Sequence, residues 1–374
     1  MEAADERYTQ RIRRVEEKLL HFLRMLETVQ EGIQPTRLAE SQVRLREAVG
    51  DLFTTLPAEL ATLSPPESLK DFHEKLSEAL TCCADAYALF LSRGGSDFPQ
   101  AFLNSRQALC QGQYLLYEIR AQLPLLQQYW VLPTALPTLA TLETKIPGVE
   151  VPVGFSHEQR TNTHAEYSLY VPEYYTPQRT WPLIICLHGG YGRGDDFIWS
   201  WLRPAKSKGY LLLSPKSVGP TWSALNPPID TRSILAMLEE VCTTYAVDRQ
   251  RIYLTGLSDG GIFTYVLGLG NAHLFAGITP VAGELHAMVD PLLRRGQGKE
   301  VPIFIVHGAQ DHIFPVAFTR QSYKLLEKLG YKVTYHELPD WGHTYTYHIN
   351  ETIVLPWFES LRVQSDSQDK TNQE

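Results

Sequence analysis

The chain has 374 residues, of which 44% are hydrophobic and 20% charged, proportions near the average of globular proteins. This composition excludes a globally disordered chain, a collagen-like rod and a long coiled coil, and the length suggests two domains or one large one. The 34 basic and 42 acidic side chains give a net charge of -8. Neither the first 130 residues nor the rest has the basic excess that a phosphate backbone requires, so we expect no nucleic-acid partner.

The cysteines and the N-terminal segment indicate the cellular compartment. The five cysteines are an odd number without a CxxC pair or a Cys/His spacing typical of zinc, which favours reduced thiols. The first residues, MEAADERYTQRIRR, are charged from residue 2 and lack the apolar core of a signal peptide. Two uncharged stretches, 121–142 and 260–283, are broken by proline or by glycine and polar residues, so we expect no transmembrane segment. These features predict a cytoplasmic protein.

Residues 1–130 predict an all-helical domain. Apolar residues recur there at steps of four and three, the spacing of one buried helix face. The helical runs are, in chain order, Tyr8 to Val29, about residues 36–56 with a stop at Pro57, Leu69 to Phe90, and about residues 97–128. Their short connections predict an antiparallel helical bundle.

Catalytic motifs are missing from this first region. His21 and His73 stand alone on helical runs, and Cys82 and Cys83 are adjacent, so that their side chains point in different directions on a helix. We interpret the bundle as a structural or dimerising cap. The alternative is a module that binds a protein partner or covers an active site as a lid.

The pattern changes after a proline-punctuated connector, residues 131–164. From 165 to 362, short β-rich runs alternate with helical stretches, which predicts an α/β domain with a doubly wound, mostly parallel sheet. The expected strands are 167–171, 183–187, 210–213, 252–255, 278–281, 303–306 and 333–336, and the expected helices lie near 231–245, 259–269, 316–329 and 350–361. The chemistry of such sheets sits beyond the C-terminal ends of the strands. Residues 363–374 are expected to be a disordered tail.

The first motif, HGGYG at 188–192, follows the apolar strand at 183–187. A loop this rich in glycine can turn backbone N–H groups toward a developing oxyanion. We assign the oxyanion hole to the N–H groups of Gly190 and Asp259, with Tyr191 as the reserve choice. A phosphate-binding loop is the weaker interpretation, because the Lys-Ser/Thr ending of a P-loop is missing.

The strongest motif is RIYLTGLSDGG at 251–261, in which an apolar strand passes through G-x-S-x-G directly into a helix. The sharp turn presents the serine at the start of the helix. Glycines two residues before and after it are needed because side chains there would collide with the neighbouring strand and helix. This context predicts Ser258 as a nucleophile.

A serine hydroxyl requires a histidine base and a carboxylate that orients the base. Asp311 lies in a loop just after the expected strand at 303–306, and His343 lies after the one at 333–336, so both follow strand ends in the order Ser, Asp, His. His307, His312 and Asp340 are the competitors, and we interpret them as structural.

At these residues the sequence resembles the α/β-hydrolase superfamily, in its phospholipase/carboxylesterase and polyhydroxybutyrate-depolymerase-like branch of esterases. The resemblance rests on LHGG, VDRQRIYLTGLSDGG, VHGAQDHIFP and WGH, in the family's order, and covers roughly residues 150–362. It implies a serine hydrolase that needs no metal or cofactor and uses Ser258, Asp311 and His343 through an acyl-enzyme intermediate. The helical residues 1–130 lie outside it.

The expected substrate is a small-molecule ester. Aromatic residues near the expected site could form a wall for an acyl chain, an aryl ester or a sugar ester, and ordinary core packing is the alternative. These residues are Tyr191, Trp199, Trp201, Trp222 and Trp341. Two other functions stay open: a serine peptidase on the same scaffold, and a non-catalytic protein that acts through the bundle.

Overall fold

The computed structural model describes residues 2–92, 98–160 and 165–361. The expected tail, 363–374, therefore lies outside the described residues. The chain divides into two compact units, Met1–Leu139 and Ala140–Glu374. The expected boundary near residue 130 thus falls nine residues before the observed division.

The described residues of the first unit form helices and the turns between them, without a strand. Its helices are α1 (Glu2–Glu31), α2 (Leu38–Val49), α3 (Leu52–Ala61), α4 (Lys70–Ser92), α5 (Phe98–Glu118) and α6 (Pro124–Gln127), joined in part by 3-10 turns at Pro35–Arg37, Glu67–Leu69, Arg120–Gln122, Gln128–Trp130 and Pro133–Thr138. The predicted apolar face of α1, from Tyr8 to Val29, is buried, with Leu19, Phe22 and Leu26 at 0% exposure. Because that face can be buried only against other helices, it holds the unit together.

The second predicted helical run is wrong in one respect. It is interrupted at Gly50, which has a φ of 56° and whose N–H caps α2 by donating to Arg46 O. A positive φ suits glycine and ends a helix. Pro57, the expected stop, lies inside α3 at an exposed position.

The second unit is built on an eight-stranded sheet. Its strands are β1 (Gly154–Arg160), β2 (Ala165–Val171), β3 (Trp181–Leu187), β4 (Leu211–Pro215), β5 (Val247–Leu257), β6 (Gly277–Val281), β7 (Ile303–Gly308) and β8 (Val333–Leu338). The order across the sheet is β1-β2-β4-β3-β5-β6-β7-β8. β1 pairs with β2, and β2 with β4, in antiparallel fashion. The other six strands, β3 to β8, are parallel to one another. The predicted α/β class with a mostly parallel sheet is confirmed.

Helices α8 (Gly194–Phe197), α9 (Trp199–Lys208), α10 (Pro228–Thr244), α11 (Asp259–Gly270) and α13 (Val316–Lys328) pack on this sheet. The remaining helices are α7 (Leu139–Leu142), at the division between the units, α12 (Asp290–Arg294) and α14 (Tyr347–Ile349), which continues through a π-helical turn at Asn350–Val354 into helical residues 355–361. β3 is buried at all seven positions, as expected for a central parallel strand. No helix in the described ranges combines the length and apolar character needed to cross a membrane.

The expected connector, 131–164, contains regular structure that its sequence did not predict. Pro133–Thr138 forms a 3-10 turn, and Gly154–Arg160 forms the edge strand β1. β1 reads GFSHEQR, so it lacks the apolar run by which the other strands were recognised. An edge strand with one exposed side can carry such polar residues.

The fold brings successive strand ends together at one edge. Beyond the paired strands, Ser258 N donates to Val281 O (3.0 Å), Ala282 N to Val306 O (2.9 Å) and Ala309 N to Leu338 O (2.8 Å). These bonds tie the loops after β5, β6 and β7 to the next strand of the sheet, and Gln310 N donates to Trp341 O at 2.9 Å between the loops after β7 and β8. The loops after β5, β7 and β8 therefore share the C-terminal edge of the sheet.

Candidate active site

Ser258 occupies a strained turn between β5 and α11. Its φ is 58° and its ψ is -121°, a left-handed conformation that side-chain-bearing residues rarely adopt. The N–H bond to Val281 O holds it in that conformation. Ser258 is partly exposed, while Leu257 before it and Gly260 after it are buried. The turn thus presents the hydroxyl-bearing side chain next to the unpaired N–H groups at the start of α11.

Glycines on both sides make this turn possible. A Cβ on Gly256 would lie 2.3 Å from Gly260 O, and a Cβ on Gly260 would lie 2.3 Å from Leu187 O. Both contacts are with backbone atoms, which cannot move aside as a flexible side chain can. The predicted steric reason for G-x-S-x-G is therefore visible here: the start of α11 packs directly on the end of β3.

His343 and Asp311 form a hydrogen-bonded pair. His343 Nδ1 donates to Asp311 Oδ2 at 2.8 Å. Asp311 Oδ1 accepts two further bonds, from the N–H groups of Ile313 and Phe314, both at 2.8 Å. With the Nδ1 proton directed at the carboxylate, Nε2 is the ring nitrogen that can accept a proton.

Asp311 is held in its ionised form. Burial alone would raise its pKa, but the hydrogen bond and charge of His343, with the Phe314 and Ile313 N–H groups, outweigh burial and lower the pKa below its usual value. His307 lies 3.4 Å from the same carboxylate, and its ring nitrogens bond Phe314 O (2.8 Å) and the Thr319 hydroxyl (3.0 Å).

The competing residues take other positions. His307 is buried at 1% exposure, and its two ring nitrogens brace the turn after β7. His312 and Asp340 are exposed. His343 is thus the histidine hydrogen-bonded to Asp311 in the manner that the Ser-Asp-His order predicts.

The Gly-rich loop lies against the serine turn. A Cβ on Gly189 would lie 3.5 Å from Ser258 Cβ, and one on Gly190 would lie 2.6 Å from Asp259 Oδ2. Tyr191 N donates to Pro220 O at 2.9 Å, so that N–H group is already engaged. The geometry therefore favours Gly190 over the reserve choice, Tyr191, whose own φ is 58°.

His188 holds this loop in place through two hydrogen bonds. Its Nε2 accepts from Ser217 N at 3.1 Å, so Nδ1 carries the proton and donates to Gly189 O at 2.7 Å. The imidazole is fully buried and packs against the Trp222 ring, with 4.7 Å between the centroids and an angle of 34° between the ring planes. Burial lowers its pKa to about 4. The hydrogen bond to Gly189 O and the charges of Asp230 and Asp195 oppose this shift, and the charge of Lys216 adds to it. His188 is therefore neutral at ordinary pH.

The predicted aromatic wall needs correction at three of its five positions. Trp199 and Trp201 are 3% and 0% exposed; the first packs on Phe155 and the second stacks on Phe358. Trp222 is 4% exposed, and its Nε1 donates to His188 O at 2.7 Å. These rings fill the interior because α9 and the loop after β4 lie against the sheet.

The other two positions remain near the surface. Tyr191 is 73% exposed on the loop after β3. Trp341 is partly buried and stacks on His348 with an interplanar angle of 14°. Their assignment as substrate-contacting residues stays a prediction.

The loop after β4 contacts the serine turn, although its sequence carries no motif. Thr221 in this loop donates its hydroxyl proton to Asp259, and Asp230 at the start of α10 accepts from Val218 N at 2.8 Å and Ser223 N at 2.7 Å. A loop residue with no motif carries no signal in a single sequence. Within the described residues no group of three or more His, Cys, Asp or Glu is arranged to hold a metal.

Replacing Gly260 by alanine tests the close packing beneath Ser258. We expect Gly260→Ala to lower the free energy of unfolding by about 3 kcal/mol, because the new Cβ meets backbone oxygen at 2.3 Å. Gly270→Ala, at the other end of α11, is the control, since its Cβ meets Leu292 Cδ1 at 4.0 Å. Urea unfolding of both variants measures the difference. Equal stability of the two would contradict the packing described.

Replacing His188 tests its neutral state. Between pH 7 and 4 the unfolded imidazole binds a proton near its ordinary pKa, while the folded one does so only near 4. Stability therefore falls as pH falls, by up to about 3 kcal/mol from this group. We expect His188→Gln, which keeps an acceptor for Ser217 N but does not titrate, to lose less stability over this range in urea titrations. If the wild type and His188→Gln lost equal stability between pH 7 and 4, the pKa of His188 in the folded protein would be close to its ordinary value.

Part of the chain matches known esterases. Residues 231–353 match the family described as phospholipase/carboxylesterase. A segment of 158 residues is 27% identical to a feruloyl esterase C of Emericella nidulans, covering 40% of this chain and 56% of that protein. A segment of 98 residues is 30% identical to acyl-protein thioesterase 1 of Gibberella zeae, covering 25% of this chain and 42% of that protein. A bifunctional acetylxylan esterase/xylanase of Neocallimastix patriciarum is 28% identical over 151 residues, 39% of this chain and 21% of that protein.

The coverage of these relatives is partial. The chain spans between 21% and 56% of the length of the three relatives named. A solved structure of a thermostable esterase is 24% identical, with a TM-score of 0.46, over 55% of this chain and 62% of that one. The matched segment and the observed sheet together confirm the predicted resemblance of the second unit to the α/β-hydrolase superfamily, in its phospholipase/carboxylesterase branch of esterases.

Proposed function

We propose that the second unit is a serine hydrolase that cleaves carboxylic esters of small molecules. The observation that carries this proposal is the Asp311–His343 hydrogen bond of 2.8 Å at the same sheet edge as the strained Ser258 turn. An exposed hydroxyl, a histidine and an orienting carboxylate are the groups that acyl transfer requires.

His343 would act as the base. Its Nε2 accepts the proton of Ser258 as the hydroxyl oxygen attacks the ester carbonyl, and it then protonates the leaving alcohol. The resulting acyl-enzyme is hydrolysed by water, with His343 activating the water and returning the proton to Ser258. Asp311 supports both steps because its lowered pKa keeps it ionised beside the imidazolium that forms.

The N–H groups of Gly190 and Asp259 would bind the oxyanion. Asp259 is the first residue of α11, where backbone N–H groups have no partner within the helix. Gly190 lies beside it, with the Asp259 carboxylate 2.6 Å from the position of an added Cβ. Two such donors aimed at the developing charge typically contribute about 3–4 kcal/mol each to the transition state.

The likeness to relatives named as feruloyl esterase and acyl-protein thioesterase supports an acyl-transfer reaction on an ester or thioester. This likeness does not assign the acyl group of the substrate. The first 139 residues lie outside the matched segment and have no counterpart in it. The exposed ring of Tyr191 supports a substrate with an apolar or aromatic acyl group at the loop after β3.

For the helical unit we propose a structural role, with homodimerisation or a protein partner as the alternative. Among its described residues the exposed large hydrophobic side chains are Val43, at 46%, and Leu136, at 38%. Two isolated side chains are too few for an apolar docking patch. For the compartment we propose the cytoplasm, since none of the five cysteines, all within the described ranges, forms a disulfide.

Substitutions at the proposed triad test this function. With p-nitrophenyl esters, we expect Ser258→Ala to lower kcat by at least about 10⁴-fold and Asp311→Asn by about 10³–10⁴-fold, since the amide favours the wrong imidazole tautomer. Asp340→Asn, which replaces an exposed carboxylate on the loop after β8, is the control and should keep kcat within about threefold of the wild type.

Initial-rate kinetics and thermal unfolding on the same preparations separate chemistry from folding. An active Ser258→Ala protein would refute the assignment of the nucleophile. Faster cleavage of aminoacyl anilides than of esters by the wild type would replace the esterase proposal by a peptidase.

A further inference from the structure

The loop after β4, residues 216–223, lies along the Gly-rich loop of the proposed oxyanion hole. Ser217 N donates to His188 Nε2 at 3.1 Å, and Trp222 Nε1 donates to His188 O at 2.7 Å. Pro220 O accepts from Tyr191 N at 2.9 Å. Three hydrogen bonds therefore connect the two loops on either side of Gly190, and each involves the backbone.

The loop after β4 is itself held from both ends by one buried carboxylate. Asp230, at 1% exposure, accepts from Val218 N at 2.8 Å through Oδ1 and from Ser223 N at 2.7 Å through Oδ2. The Ser223 hydroxyl accepts in turn from Asp230 N at 3.2 Å. The segment between Val218 and Ser223 is thus a closed turn with fixed ends, and Thr221 lies in its middle.

Among the described residues, Thr221 makes the one side-chain hydrogen bond between this turn and the turn at Ser258 and Asp259. Its hydroxyl donates to Asp259 Oδ2, and a Cβ on Gly190 would lie 2.6 Å from that same oxygen. The Asp259 carboxylate therefore touches both the Thr221 hydroxyl and the backbone of Gly190. A hydroxyl-to-carboxylate bond is charge-assisted and stronger than a bond between neutral groups.

We propose that Thr221 is a positioning residue for the oxyanion hole. By fixing the Asp259 side chain it holds the first residue of α11 and Gly190 at a set separation, so that their two N–H groups face one point. The donors come from different loops, after β3 and after β5, and no described backbone bond joins Gly190 to Asp259 directly. This inference rests on the proposed function of the site.

The proposal predicts a specific kinetic signature. Donors that bind the oxyanion act on the transition state, so their misplacement lowers kcat, whereas substrate binding and KM stay nearly unchanged. A displacement of about 1 Å at such a site costs up to about 10²-fold in rate. A residue needed only for folding would instead lower the thermal midpoint together with the amount of active protein.

Isosteric replacement provides the test. Thr221→Val removes the hydroxyl and keeps the shape, and Thr221→Ser keeps the hydroxyl. With p-nitrophenyl esters we expect Thr221→Val to lower kcat by about 10–100-fold, with KM within about twofold and an unchanged thermal midpoint. Thr221→Ser should restore kcat to within about threefold of the wild type. Ser217→Ala is the control, because its hydroxyl donates to Gly219 O at 2.8 Å on the same loop without reaching Asp259.

A double-mutant cycle tests whether Thr221 acts through Asp259. In an Asp259→Ala background, which already lacks the acceptor, Thr221→Val should lower kcat by less than about twofold. A full 10-fold loss there would overturn the proposal, as would a Thr221→Val enzyme with wild-type kcat. Equal losses in Thr221→Val and Ser217→Ala, or no recovery in Thr221→Ser, would also overturn it.

Failure of the proposed function gives a different result. The wild type would then hydrolyse none of the esters, and a fluorophosphonate probe would leave it unlabelled, so the inference would fall with the function. If the wild type is labelled and active while Thr221→Val matches it, the esterase proposal stands and the positioning role of Thr221 alone is refuted.

Discussion

The left-handed conformation of Ser258 is the constraint on which the rest of the second unit depends. A serine at φ 58° is strained, and it persists because its N–H is bonded to Val281 O and because α11 starts in direct contact with β3. That contact requires glycine at 260, and the close approach of the end of β5 to the start of α11 requires glycine at 256. The sheet order β3-β5-β6 provides the two neighbours, so the strand arrangement and the local strain support each other.

Polar groups at this sheet edge are fixed mostly by backbone partners. Asp311 accepts two N–H groups in addition to His343, Asp230 accepts two N–H groups, and His188 bonds both a carbonyl and an N–H group. Such bonds orient a side chain without adding a mobile charge. The result is a set of loops whose geometry is determined before any substrate arrives, as electrostatic stabilisation of a transition state requires.

Much of this architecture could be predicted from the sequence because its signals are local. The apolar runs of β3 to β7 mark buried parallel strands, and the glycines around Ser258 report a steric requirement that a few consecutive residues express. Asp311 was predicted because it follows the apolar strand β7, and His343 because it follows the next expected strand, which became β8. Their hydrogen bond was the expected result of that placement.

The features that escaped prediction depend on distant partners. The polar strand β1 is stabilised by pairing with β2, and Thr221 gains its role from Asp259, 38 residues away in sequence. Burial of Trp199 and Trp201 likewise depends on packing that the residue type does not reveal, since tryptophan suits both a core and a binding wall. The break at Gly50 was missed because the apolar spacing continues across it.

We propose that Ser258 is the nucleophile of the second unit. Labelling of the full chain with a fluorophosphonate probe, followed by mass spectrometry of the peptides, tests this assignment. We expect one phosphonylated residue, Ser258, and a reaction rate that falls sharply in His343→Ala. Labelling at another residue, or an unchanged rate in that variant, would contradict it.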